Sequence, residues 1–267
     1  MSKLKHNLVW ATPLIIFLFV EYIYFTYTRS NVYAGEAKGS FIIYFFCIAS
    51  IILVLLSIFS FTGRKNIKEF FGFAPTPALL VISQYTLILF LESTWLSVLF
   101  PAIFNSFLGV FLENIYLRYY RREKFQDYSF GNISGFLSIF IIYSFSAAMY
   151  GYIRFLGFQV WAASLLVLCI ALVLVFQGIW MMYYRFIEKG WAYLCIIPLI
   201  LLEFFWVINF LPSSIYVNGF MIAIVYYIFM GLAKNQILGL MNKNILARYA
   251  FIACITTTII LLTAKWS

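Results

Sequence analysis

The sequence predicts an all-α protein, a polytopic transmembrane helix bundle of about nine spans, and three observations carry that expectation. Hydrophobic residues make up 65% of the chain and charged residues 10%, against roughly 45–50% and about 25% in soluble domains. The apolar residues come in runs of about 20, the length a helix needs to cross about 30 Å of hydrocarbon. They lack the strict alternation of a barrel strand. The cations, finally, punctuate these runs instead of gathering on one surface, so a net charge of +9 does not imply a nucleic-acid partner. The expected partner is the lipid bilayer, with a membrane-protein partner or a homo-oligomer beside it.

Lys3 and Lys5 precede an apolar run over 8–28 that resembles a signal anchor. Val32-Tyr33-Ala34 would satisfy a small-residue cleavage rule, but the run exceeds the about 7–15 residues of a signal peptide and carries Glu21, so retention is expected. Span two covers 40–62. In the stretch 63–71, Ile67, Phe70 and Phe71 share a helical face opposite charge, as in a short interfacial helix. Span three is expected from Pro75 and Pro77 to Leu99. Pro101 then opens span four, which runs to 117, because proline is well tolerated at a first helical position.

The longest polar stretch, 118–132, holds Arg118, Arg121, Arg122 and Lys124. Interleaved with Tyr119 and Tyr120, these cations suit an anionic lipid surface or an acidic partner; a solvated loop is the alternative. Spans five to nine are expected at 133–153, 159–184, 191–211, 212–233 and 245–264. With the N-terminus inside, fourteen of the 18 Lys and Arg residues fall on the cytoplasmic side. That bias is the signature of retained positive loops, and it predicts a cytoplasmic N-terminus with the C-terminus outside.

The pattern E-x-x-W-x5-P occurs twice, at Glu92, Trp95 and Pro101 and at Glu203, Trp206 and Pro212. An acid, an interfacial ring and a proline read as the top of a membrane hairpin. The shift between the copies moves an even number of helices, so it suggests a parallel repeat of two four-helix units. The expected organisation is residues 1–39 as an N-terminal span and outer loop, 40–158 as the first unit and 159–267 as the second, within one membrane domain.

Glu21, Glu92 and Glu203 each fall in the outer half of an expected span. A carboxylate there must be paired, protonated or facing a cavity. Converging, the three would form an acidic outer vestibule; dispersed, each would bond to neighbours such as Asn105, Asn209 and Asn218. The four cysteines, Cys47, Cys169, Cys195 and Cys254, fall within spans without a C-x-x-C pair, so buried reduced thiols are expected. His6 is the only histidine, outside the expected spans, and Asp127 the only aspartate. No metal, cofactor or catalytic residue is expected from this inventory, because magnesium diphosphate chemistry needs several aspartates.

Glu113-Asn114-Ile115-Tyr116-Leu117-Arg118 is similar to the E-E-x-x-x-R helix of the CAAX-type intramembrane protease family. That resemblance implies a Glu113 that activates water. The chain departs from the family at Asn114 and lacks intramembrane histidines, and the residues themselves read as a Glu113–Arg118 pair at the cytoplasmic boundary. The stretch from Glu203 to Pro212, with Gly219 and Tyr226-Tyr227, resembles small polytopic bacterial membrane proteins with no assigned activity. It implies a bacterial inner membrane. The expected function is a transport or permeation module using outer-leaflet carboxylates; the alternatives are a structural or assembly subunit and, third, an intramembrane hydrolase.

Overall fold

The computed structural model describes residues 2–28, 37–63, 67–91, 93–125, 127–182 and 187–263. Among them there are helices and no strand. The α-helices are α1 (Ser2–Ile23), α2 (Ala37–Thr62), α3 (Ile67–Phe73), α4 (Pro75–Ile88), α5 (Thr94–Tyr120), α6 (Asp127–Leu156), α7 (Val160–Met182), α8 (Ile187–Asn209), α9 (Ile215–Ile237) and α10 (Lys243–Thr263). A π-helical turn at Tyr24–Thr28 prolongs α1. Among the described residues eight helical stretches are long and apolar enough to cross a bilayer, so this is a multi-pass membrane protein. The helix α10, where the ninth span is expected, is not one of the eight.

Several ends follow from local chemistry. Gly63, Gly157 and Gly239 adopt φ of 66°, 65° and 69° just after α2, α6 and α9, the left-handed position that glycine reaches without a Cβ clash. Ser214 caps α9 by accepting from the Val217 N–H at 3.3 Å, which satisfies one of the free donors of the first turn.

Two ends differ from expectation. The third span is Ile67–Ile88, not 75–99, and Ile67, Phe70 and Phe71, assigned to an interfacial helix, lie in its first turns. Ala74 keeps right-handed helical angles, its N–H bonds to Phe70 O at 2.9 Å, and Ala78 N–H bonds back to Ala74 O at 3.2 Å. The helix therefore runs on through Pro75 and Pro77. Correspondingly, α5 begins at Thr94 and encloses Pro101. Pro101 does not open a span; it deprives the Ser97 carbonyl of its usual i+4 donor. The chain leaves α4 in a turn at Leu89 and Phe90, residues as apolar as the helix they end.

This breaks the equivalence of the twin motifs. Trp95 lies in the first turn of α5 and Pro101 inside it, whereas Trp206 lies in the last turn of α8 and Pro212 beyond its end. One copy belongs to a helix start and the other to a helix finish.

The chain forms two compact units, Met1–Leu137 and Ser138–Ser267. In the first, α1 packs on α2 and α5, and α2 on α4. Ile16 and Val20 of α1, Ile58 of α2 and Phe111 and Leu112 of α5 are fully buried. Lipid tails are as apolar as these side chains, so burial alone gives little preference for protein neighbours and polar contacts matter more. Thr12 and Ser57 hydroxyls meet at 2.7 Å between α1 and α2, and Ser50 and Tyr85 hydroxyls at 2.9 Å between α2 and α4. The outward face of α2 is a stripe of Phe41, Phe45, Ile48, Ile52, Leu56 and Phe59, all exposed at helical spacing, as a lipid-facing surface requires.

In the second unit, α7 packs on α8, α8 on α9 and α9 on α10. Gly219 of α9 lies against α6 so closely that a Cβ would sit 2.7 Å from Ala147 Cβ and 2.8 Å from Ala147 N. Small residues at such crossings let backbones approach in the absence of a hydrophobic driving force.

Candidate functional site

The ten sequence-derived candidates are distributed over both units. Glu92 lies outside the described residues. Glu21 belongs to the first unit, near the end of α1; its Oε1 is buried without a hydrogen-bond partner. Glu203 belongs to the second unit and is exposed on α8. It sits on a stripe with Leu199, Trp206, Val207 and Phe210, all exposed.

The three asparagines differ in burial and in what their amides meet. Asn105 is 4% exposed in α5 and its Nδ2 donates to Pro101 O at 2.8 Å. Asn209 closes α8, half-buried. Asn218 is 1% exposed in α9, and its Oδ1 accepts from the Ser213 hydroxyl. The Ser213 carbonyl in turn accepts from Arg154 Nη1 at 2.8 Å. Arg154 is the last-turn cation of α6, so the α8–α9 turn is latched to the α6 terminus. One helical turn earlier, the Tyr150 hydroxyl donates to Phe205 O at 2.9 Å while its ring stacks on Phe205 at 4.4 Å.

A further polar arrangement lies at one end of the first unit. Glu69 of α3 is held by Arg118 of α5 at 3.5 Å and accepts from the Tyr119 hydroxyl. Arg118 also lies over the Phe73 ring at 5.4 Å and the Phe125 ring at 5.8 Å, where the ring quadrupole favours a cation. Lys5 of α1 donates to Ser60 O at 2.8 Å and to the Tyr120 hydroxyl at 2.6 Å. His6 packs on Tyr116 at 5.2 Å, which stacks on Tyr120 at 5.1 Å. The start of α1, the start of α3 and the ends of α2 and α5 thus meet at one end. Arg121 and Arg122 extend from it, exposed; the Lys124 side chain lies outside the described set.

Three expectations are corrected here. Arg118 pairs with Glu69, not Glu113: residues i and i+5 point about 140° apart on a helix of 3.6 residues per turn. Asn114 spends its amide on Val110 O at 2.8 Å. His6 lies within a candidate span, Lys5–Thr26, packed as an aromatic neighbour. The cysteines are free as expected, but Cys169, Cys195 and Cys254 are exposed and Cys47 is half-buried, because they lie on lipid-facing helix surfaces. Among the described residues no group of three His, Cys, Asp or Glu side chains could hold a metal ion.

Sequence reasoning named Arg118 and Asn218 but missed Lys5, Glu69, Arg154 and Ser213. Glu69 had a signal, being the only acid within the basic stretch 64–71. Ser213 had none, since its part is played mainly by a backbone carbonyl. Compared with known protein families, characterised proteins and solved structures, the chain matches none.

Proposed function

We propose that the protein is a non-catalytic subunit of a bacterial inner-membrane assembly that docks through the exposed stripe of α8. The observation behind this reading is Glu203, an exposed carboxylate on an otherwise apolar face. It sits six residues before the end of α8, about 9 Å along the axis at 1.5 Å per residue. A carboxylate facing lipid at that depth is costly unless a neighbour pairs with it or hydrogen-bonds it. A partner helix presenting a cation or an amide supplies that neighbour, and Leu199, Val207 and Phe210 supply the flanking apolar contact. A permeation module would instead need Glu203 turned into a lumen.

In this reading the basic end formed by Lys5, Arg118, Arg121 and Arg122 faces the cytoplasm, which the tendency of Lys and Arg to be retained there supports. The docking reading is tested by placing a photo-crosslinking residue at Val207 in native membranes. A discrete crosslinked product, lost on Glu203→Leu and kept on Glu203→Gln, is expected. If only lipid is labelled, or if Glu203→Leu leaves the product intact, the reading fails.

A further inference from the structure

A groove of about 280 Å³ opens to the outside between α1 and α5 in the first unit, bordered by Trp10, Leu14 and Phe17 on one side and Ala102, Asn105 and Ser106 on the other. Gly109 shapes one wall: a Cβ there would lie 2.8 Å from Trp10 Cζ3, so only bare backbone lets the indole lie against α5. Leu14 is 60% exposed and Trp10 46%, so the groove faces the bilayer.

Its polar content is uneven. Ser106 Oγ donates to Ala102 O at 2.7 Å and Asn105 Nδ2 donates to Pro101 O at 2.8 Å. Asn105 Oδ1, in contrast, is buried without any hydrogen-bond partner. A buried acceptor left without a donor is destabilising, and this one lies far from headgroup water. Counting along α5 at 1.5 Å per residue, Asn105 is about 16 Å from Thr94 and about 22 Å from Tyr120. At that depth a charged or zwitterionic headgroup is excluded by its desolvation cost. A neutral hydroxyl is not, and its one proton matches the one orphaned acceptor.

We propose that this groove binds an uncharged membrane lipid bearing a hydroxyl group, with its chain against Leu14 and Phe17 and its O–H donating to Asn105 Oδ1. The volume is near the lower end of ligand pockets, about 300–1,000 Å³, and suits one chain rather than two. Oδ1 is shielded from water, so the hydroxyl engages it as the lining side chains part.

The test uses the full-length protein in phosphatidylcholine nanodiscs and two photoreactive probes, a diazirine-bearing hexadecanol and its methyl ether. The two have the same chain, but only the alcohol can donate. The alcohol is expected to label segments 10–17 and 102–106 at least about fivefold more than the ether, the ratio that one hydrogen bond of about 1 kcal/mol gives. Asn105→Leu is expected to erase that preference, and Leu14→Trp, which fills the groove, to reduce labelling by both probes. Equal labelling of the wild type by alcohol and ether would overturn the proposal without recourse to any variant. Persistence of the preference in a folded Asn105→Leu protein, or labelling confined to other segments, overturns it as well.

Discussion

Single side chains in this protein do work that their neighbours in sequence conceal. Arg118 is the clearest example, because it combines an ion pair to Glu69 with contact to two rings. The pair is about a quarter to a third exposed on each side, 34% for Arg118 and 25% for Glu69, and pairs so exposed contribute at most about 1 kcal/mol. Glu69→Gln is expected to lower the unfolding midpoint in detergent by under about 4 °C, and added salt should shrink the difference. Arg118→Ala is expected to cost more, since the cation's contact with Phe73 and Phe125 goes as well. Tyr150 separates two contributions in the same way. Tyr150→Phe removes the bond to Phe205 O and should cost about 0.6 kcal/mol, the average for an interhelical bond in a membrane. Tyr150→Ala also removes the stacked ring and should cost about 3–5 kcal/mol. Thermal unfolding of the two variants side by side checks both; similar losses would show that the ring contributes nothing beyond the hydroxyl.

At the scale of elements, Gly219 and Gly178 make a useful contrast. A Cβ at Gly219 would collide with the Cβ and backbone of Ala147, whereas at Gly178 it would meet the terminal methyl of Met230. A backbone cannot step aside, but a thioether tip can. Gly219→Ala is therefore expected to destabilise the second unit by about 1–3 kcal/mol and Gly178→Ala by less, as read from thermal unfolding in one detergent. Element ends were legible where a breaker coincided with a drop in hydropathy, as at Gly63, Gly157 and Gly239. They were illegible at 89–91, because Leu89, Phe90 and Leu91 continue the apolar run of α4 beyond its end. Pro75 and Pro77 misled in the opposite sense, since the local αR geometry at Ala74 carries the helix through them. Of the candidate residues, buried Asn105 and Asn218 were visible as polar interruptions within apolar runs. The outward direction of Glu203 was not, because it depends on which face of α8 its neighbours cover.

For the whole molecule, the membrane class was fixed by composition and the eight apolar helices agree with it, while the role of α10 depends on its surroundings. Leu246, Phe251 and Leu262 are exposed along it. Reporters fused after Asn242 and at the C-terminus are expected to read opposite sides of the membrane, with α10 as a further crossing; the same side for both would place α10 on the surface. The exposed cysteines give an independent check. A charged maleimide does not enter hydrocarbon, so Cys169 and Cys195 should resist labelling in intact membranes and react after solubilisation in SDS. Rapid labelling in the bilayer would move those helix faces out of lipid.

The latch at Ser213 also constrains the order of assembly. Arg154 leaves the ribosome 59 residues before the carbonyl it binds, a gap of roughly 3–12 s at about 5–20 residues per second. Throughout that interval the guanidinium at the tip of α6 has to be kept hydrated at the boundary. The second half of the chain can lock only when α8 has been threaded and its turn returns, so truncation before that turn should leave α6 without its fastening.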